Sequence, residues 1–338
     1  MKNTNGKKKK IQLLLLTALL LALAVFSLFI GNYEITFQKL HSYLESKLSG
    51  SAFDTMLEAV LVNIRIPRIL ASIVIGAALS VAGLVYQNVF SNNMVSPDLL
   101  GVSSSAACGA SIAILLGLSK YMRFASAFAL SLFAIALTTV LSKLLKRKDN
   151  LLLAGIITAG FARSALGLLK YLADPENGEL ESIVYWELGS LAKITWTDLV
   201  MITPMIAAIL VILYLLRRRI CCLSLGKNAA LLGIHVSAER VLVIALSSLL
   251  VSLSTALCGV ISWVGLIIPI GAADLTQKGN IAHNFVITGL LGSVFLLICD
   301  DIARAATTAE IPISIMTGAA GLVIFCVSIF ADKERKTA

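Results

Sequence analysis

Charged residues are scarce in this chain: Asp, Glu, Lys and Arg make up 14% of its 338 residues, whereas 58% are hydrophobic. A soluble domain carries about 25% charged residues, so an ordinary soluble fold is excluded. The long apolar segments are continuous and do not alternate with polar residues, which excludes a transmembrane β-barrel. The sequence therefore predicts an all-α membrane protein.

The residues that enzymes and metal sites need are also missing. Six cysteines are present, but no Cys-x-x-Cys pair occurs and no histidine stands at ligand spacing from them. Structural zinc sites use such closely spaced ligands, so we expect no metal and no other cofactor. Gly226-Lys227 is followed by Asn228 and lacks the earlier glycine of a phosphate-binding loop. We therefore expect no catalytic residue here and assign any ATP hydrolysis to another chain.

Ten apolar segments are candidates to cross the membrane, which takes about 20 apolar residues as a helix. The predicted spans are residues 11–31, 68–90, 99–119, 124–142, 151–173, 197–216, 241–260, 262–275, 284–302 and 311–330. The eighth is short, and the third begins in a serine-rich stretch. The first follows basic residues, as a signal peptide does. Its long apolar run, with no small-residue cleavage site before Asn32, favours a membrane anchor.

The distribution of Lys and Arg predicts that both ends lie in the cytoplasm. The inner segments are then 1–10, 91–98, 143–150, 217–240, 276–283 and 331–338, and they hold 18 of the 28 basic residues. Cytoplasmic loops of membrane proteins are enriched in these residues. The clusters Lys146–Lys148 and Arg217–Arg219 thus indicate topology, and no nucleic-acid partner is expected. The domain plan is a basic tail (1–10), one transmembrane domain (11–330) and a second cytoplasmic tail (331–338).

Two connecting segments are predicted to fold outside the membrane. Residues 33–64, on the outer side, have the spaced apolar positions of interfacial helices, broken at Gly50. In the inner segment 217–240, residues 225–232 predict a short helix with Ser224 as its N-cap and a left-handed Gly233 after its end. A docking element for a soluble partner and a plain connector are the two interpretations of this helix.

Within the spans, small and charged residues carry most of the information. Ser72, Gly76 and Ser80 recur at every fourth position, which lets helices approach closely in lipid. Arg163 stands well inside the fifth span, where a charge costs a few kcal/mol. It should therefore face either a polar pathway or a structural partner.

Motifs between residues 60 and 325 follow the order and nearly the spacing of one known family. They are Arg65-Ile66-Pro67-Arg68, Gly83-x3-Gln87, residues 97–104 (PDLLGVSS), Trp186-x2-Gly189-Ser190-Leu191, residues 225–234, residues 264–269 (VGLIIP), and Asp300-x3-Arg304 with Glu310-Ile311-Pro312. Together they resemble the FecCD family, the permease subunits of ABC importers for ferric siderophores, haem and vitamin B12. Ser105, Ile270 and Ser314 depart from the family pattern, and Arg163 has no counterpart in it.

The resemblance implies a fold like that of the vitamin B12 permease, and transport by alternating access. Its implied partners are two copies of a cytoplasmic ATPase, an extracytoplasmic substrate-binding lipoprotein, and a second permease copy or a paralogue in the bilayer. A ferric siderophore is the first expected substrate, with haem and cobalamin as alternatives.

The resemblance also implies roles for particular residues. Binding-protein docking is expected of Arg65, Arg68 and Arg304, whose alternative role is contact with lipid headgroups or pairing with Asp300 and Glu310. ATPase coupling is expected of Leu225, Gly226, Ala229, Ala230, Leu232 and Gly233. The candidate residues of the substrate pathway are Gln87 and Arg163.

Two other classes of membrane protein fit the sequence less well. A secondary transporter needs intramembrane carboxylates for ion coupling. Asp300 and Asp301 instead stand near an outer end, at helical spacing from Arg304, where an ion pair explains them. A membrane enzyme needs a polar catalytic cluster at one depth, and the sequence has none.

Overall fold

The structure, a computed structural model, describes residues 2–50, 54–145, 150–233, 235–276, 281–307 and 310–337. The basic cluster Lys146–Lys148 lies outside the described residues. The α-helices are α1 (Lys2–Ser27), α2 (Phe37–Ser49), α3 (Thr55–Glu58), α4 (Ile66–Phe90), α5 (Val102–Leu115), α6 (Lys120–Leu144), α7 (Asn150–Leu172), α8 (Glu179–Leu188), α9 (Trp196–Leu215), α10 (Arg217–Leu223), α11 (Val236–Cys258), α12 (Val264–Thr276), α13 (Ile281–Ala305) and α14 (Ile313–Thr337). A π-helix (Ala59–Arg65) and two 3-10 helices (Pro97–Leu100 and Gly226–Leu232) complete the chain's elements.

The all-α prediction is confirmed, and each predicted span corresponds to a helix. In the part of the chain that the structure describes, seven helices are long and apolar enough to cross a membrane, and α5, α12 and α14 contribute shorter apolar segments. The helices extend into both predicted tails. Helix α1 begins at Lys2 and α14 continues to Thr337, because lysine is a good helix former and neither flank contains proline.

The second span is longer than predicted. Helical structure runs without interruption from Thr55 to Phe90, so Pro67 lies inside a helix instead of at its start. A proline in this place lacks an N–H and crowds the preceding turn. The preceding turn is a π-helix, in which the Ile66 N–H bonds to the Leu61 carbonyl. This wider turn accommodates the ring. The predicted break at Gly50 is confirmed, with φ of 69° after α2.

The outer segment before this helix is tied together by polar contacts. Lys47 Nζ lies 2.6 Å from Glu58 Oε1 and donates to the Tyr43 hydroxyl at 2.9 Å. These hydrogen bonds raise the pKa of Lys47 above its usual value. Beneath them, Ile35, Tyr43, Leu57 and Leu61 form a small apolar cluster.

Helix α4 lies at the centre of the molecule and packs against α11, α12 and α13. A Cβ placed on Gly76 would lie 2.3 Å from the Gly292 carbonyl oxygen of α13, and one on Gly83 would lie 1.8 Å from the Gly265 oxygen of α12. Side chains at these positions would collide with backbone. The small residues of the second span therefore serve contacts within one chain.

Candidate functional site

A polar cavity of about 430 Å³ lies among the serine-rich start of α5, the middle of α7, the end of α8 and the corner before α12. Its polar lining consists of Ser96, Asp98, Ser103, Ser104, Arg163, Glu187 and Ser262. Apart from Arg163, none of these side chains was expected on a pathway, because they come from four elements that are distant in the chain. The depth of Arg163 was the signal that pointed here.

Arg163 lines this cavity from α7, and its side chain is exposed in the isolated chain. It stands 13 residues from the start of the helix at Asn150, a rise of about 20 Å at 1.5 Å per residue. Among the described residues, no carboxylate lies within 4.0 Å of its guanidinium. The structure thus places this charge on a polar cavity and gives it no close ion pair there.

The acidic side chain at the α8 end of the cavity, Glu187, is already paired. Glu187 contacts Lys170, which lies two turns beyond Arg163 on α7. This ion pair joins α7 to α8 and leaves Arg163 and Asp98 as the cavity charges without an ion pair in the described part of the chain.

The corner between α11 and α12 forms one wall of the cavity. Trp263, which immediately precedes α12, has φ of 72°, a left-handed conformation that bulky residues seldom adopt. Its ring lies against the face of α14 that carries Gly318 and Gly321. Pro269 inside α12 cannot donate a hydrogen bond to the Gly265 carbonyl one turn earlier, so that carbonyl lacks its usual helical partner.

Gln87 does not reach the cavity. Its side chain is 6% exposed, and Nε2 donates to the Leu266 carbonyl at 2.9 Å. Leu266 itself lines the cavity. In this structure Gln87 holds α12 against α4 from behind the wall, and its place on the pathway stays a prediction. Because α4 and α12 pack closely, the Gln87 amide meets the Leu266 carbonyl of α12 before it could extend past that helix.

The three arginines that were predicted to lie on the outer side are buried. Arg65, Arg68 and Arg304 are 4%, 3% and 4% exposed, respectively. Arg65 donates to the carbonyls of Leu28 and Tyr33. The structure thus differs from the expectation of exposed cations at this face, because the helix that carries Arg65 and Arg68 begins ten residues before Arg65, at Thr55.

Arg68 and Arg304 belong to one network of charges. Arg68 bonds Asp300 through Nε at 3.0 Å and Glu310 through Nη1 at 2.8 Å, so the alternative pairing is confirmed for this residue. Arg304 contacts Asp301, and its Nη2 donates to the Ser27 hydroxyl at 2.5 Å. Arg304 is therefore held by partners inside the protein. The network joins the outer ends of α1, α4 and α13.

The inner segment folds partly as predicted. Residues 226–232 form a 3-10 helix, and Gly233 follows it with φ of 74°, which confirms the left-handed turn. Ser224 is not the N-cap; it ends α10, and its hydroxyl bonds to the Cys221 carbonyl. Its own carbonyl accepts a 2.8 Å hydrogen bond from Ser91 at the end of α4. This contact seats the segment on the central helix.

The apolar surface of this segment also differs in one residue from the prediction. Leu225 and Leu232 are exposed, but Ala229 is fully buried against the body of the protein. The most exposed of its large apolar side chains is Leu231, at 86%. A 3-10 helix has three residues per turn, fewer than an α-helix. The set of outward-facing residues therefore differs from the predicted one and includes Leu231.

The sequence of this chain is similar to those of known permease proteins. The sequence model of the FecCD transport family matches residues 19–331. The molybdate import system permease protein MolB of Haemophilus influenzae is 36% identical over 322 residues, which covers 94% of this chain and 95% of that protein. The hemin transport system permease protein HmuU of Yersinia pestis is 30% identical over 348 residues, covering 98% and 99%.

A solved structure shares the fold as well. A chain described as a metal-chelate type ABC transporter in an inward-facing conformation superposes with a TM-score of 0.86 at 35% identity, covering 95% of this chain and 99% of that one. The family motifs, the helical architecture and the extent of these matches agree. This chain therefore belongs to the FecCD transport family.

Proposed function

We propose that this chain, an ABC importer permease of the FecCD family, carries a ferric siderophore inward by alternating access. The observation that carries the proposal is Arg163, a cation on a cavity inside the membrane-spanning region. A charge at this depth costs a few kcal/mol unless it faces a polar space or a partner. Catecholate and carboxylate siderophores present anionic oxygens, which suit a guanidinium and its fixed fork of donors.

Molybdate is the second candidate substrate, because the relative at 36% identity is named for it. A molybdate ion is a small oxyanion and would use the same cation. Haem, for which the relative at 30% identity is named, also carries carboxylates. Cobalamin carries amides in place of carboxylates and a single phosphodiester, so it gains least from Arg163. The charge thus favours an anionic substrate, and the uptake experiment below distinguishes the candidate substrates.

The subunit is proposed to work in a complex and to lack catalytic residues and cofactors. Two copies of a cytoplasmic ATPase would hydrolyse ATP and dock on the segment that includes Leu225, Leu231 and Leu232. A second permease copy or a paralogue would close the open side of the cavity. A substrate-binding lipoprotein would deliver the substrate on the outer face, with both termini of the permease in the cytoplasm.

Docking of the binding protein is proposed to depend on Arg65, Arg68 and Arg304 in an indirect way. Direct contact would require each buried side chain to leave its present partners, and a broken buried pair costs about 3–5 kcal/mol. The arginines are better suited to hold the outer ends of α1, α4 and α13 in the arrangement that the binding protein meets.

Uptake into proteoliposomes tests the proposal. The permease would be reconstituted with its cognate ATPase and binding protein and supplied in turn with a ferric catecholate chelate, molybdate, haemin and cobalamin. We expect ATP-dependent uptake of an anionic probe, with the ferric chelate first. Uptake of cobalamin alone would overturn the anionic assignment, and uptake without ATP would overturn the importer mechanism.

A further inference from the structure

The cavity holds a second charge whose place suggests a role in substrate release. Asp98 lies on the 3-10 helix Pro97–Leu100 and lines the same cavity as Arg163. The two side chains line one shared space. In the described part of the chain they do not form a salt bridge within 4.0 Å. Both side chains therefore line the cavity without a close ion pair between them.

Packing against α7 fixes this arrangement. Gly101, with φ of 74°, follows Asp98, and a Cβ at Gly101 would lie 2.7 Å from the backbone nitrogen of Ala159. Ala159 is one helical turn from Arg163. Because no side chain separates the two backbones, the turn that carries Asp98 rests on the helix that carries Arg163.

The carboxylate is also held in orientation. The Ser103 hydroxyl donates to Asp98 Oδ1 at 2.6 Å, and the Gly101 N–H bonds to the Asp98 carbonyl at 3.2 Å. Asp98 therefore cannot simply follow Arg163 when the guanidinium turns toward a substrate. Glu187 does not replace it, because Glu187 contacts Lys170.

We propose that Asp98 is the counter-charge of Arg163 in the empty cavity and that an anionic substrate competes with it for the guanidinium. The inference rests on the proposed function and adds a specificity-determining residue to it. An anion that enters replaces Asp98 as the partner of Arg163. The carboxylate then repels that anion and keeps its binding weak enough for release toward the cytoplasm. Transport requires such weak binding, since a site that holds its substrate tightly slows the following step.

Equilibrium binding to the permease–ATPase complex in nanodiscs tests this, with molybdate and a ferric catecholate chelate as probes. Asp98→Asn keeps the shape and the Ser103 contact but removes the charge, so we expect about tenfold tighter binding of the anionic probe. Uptake turnover should fall in the same variant because release slows. Asp98→Glu moves the carboxylate one methylene into the cavity and should weaken binding severalfold.

Control variants separate this effect from general changes in the cavity. The double variant Lys47→Gln with Glu58→Gln removes an ion pair whose members do not line the cavity and leaves the net charge unchanged, so binding should not change. In Asp98→Asn with Arg163→Gln, binding should be as weak as in Arg163→Gln alone. If Asp98 acted independently of the Arg163 charge, the change in binding free energy of the double variant would equal the sum of the changes in the two single variants.

The outcomes distinguish this inference from the proposed function. If Arg163→Gln weakens binding while neither Asp98 variant changes it, Asp98 serves only to order the start of α5, and the inference is wrong while the anionic pathway stands. If the wild-type complex takes up neither probe, the proposed substrate class itself fails. Should Asp98→Asn not assemble, the severalfold loss expected of Asp98→Glu still decides the matter.

Discussion

Arg68 and Asp300 form a buried bidentate ion pair that joins α4 to α13. Arg68 Nε lies 3.0 Å from both carboxylate oxygens, Nη2 lies 2.9 Å from Oδ1, and the two side chains are 4% and 1% exposed. A pair so far from water stabilises the structure only while both members are present, because removing one leaves the other buried with part of its compensating charge lost.

The first prediction concerns this pair. Arg68→Leu should destabilise the protein by about 3–5 kcal/mol, since Asp300 would lose its main counter-charge. Thermal unfolding in detergent would measure the loss. Replacing both residues, as Arg68→Leu with Asp300→Leu, should recover much of the stability. A single variant as stable as the wild type would show that water reaches the pair.

The second prediction concerns the cavity cation. Arg163→Leu should reduce uptake of an anionic probe at least about tenfold, since the loss of one charge-assisted contact removes roughly 1.5–3 kcal/mol. Arg163→Lys, which keeps the charge without the fork of donors, should retain part of the activity. Arg123→Leu removes an arginine outside the cavity and serves as the control. Wild-type uptake by Arg163→Leu would contradict the pathway assignment.

The third prediction concerns the contact between α4 and α12. Gly83→Ala should destabilise the protein by at least about 3 kcal/mol, because the added Cβ meets the backbone at Gly265. Gly160→Ala is the matched control, since a Cβ at Gly160 meets nothing within 4 Å. Folded yield and melting temperature should fall for the first variant alone. Equal behaviour of the two would mean that the helices separate easily.

The fourth prediction concerns the inner segment. Leu231→Ala should weaken capture of the ATPase about tenfold, because Leu231 is the most exposed apolar side chain there and would be buried on docking. Leu48→Ala, at a leucine of α2 that is 89% exposed on the outer side, is the control. A pull-down that does not distinguish the two variants would favour a plain connector.

The fifth prediction concerns the turn that ends this segment. Gly233→Val should reach the membrane but fail to couple ATP hydrolysis to transport, because a β-branched residue disfavours φ of 74°. Gly233→Asn, which tolerates the left-handed region better, should retain more activity. Full substrate-stimulated hydrolysis by Gly233→Val would show that the turn does not transmit movement.

Much of the architecture followed from the sequence alone. Continuous apolar runs predicted the helices, because in a bilayer the backbone can satisfy its hydrogen bonds in few other ways. Gly50 and Gly233 predicted their turns, since left-handed backbone strongly favours glycine. The depth of Arg163 within its span marked it as exceptional, and the order of motifs indicated the FecCD family.

The tertiary structure decided what each polar residue contacts. Sequence position suggested exposed arginines at 65, 68 and 304. The continuous helical structure from Thr55 to Phe90 carries Arg65 and Arg68, α13 carries Arg304, and all three side chains are buried. Gln87 and Arg163 were expected to share a pathway, but one bonds a neighbouring carbonyl while the other faces open space. A continuous apolar run predicts that a segment is helical. The direction and partner of a side chain depend on helices hundreds of residues away, which only the packed structure brings together.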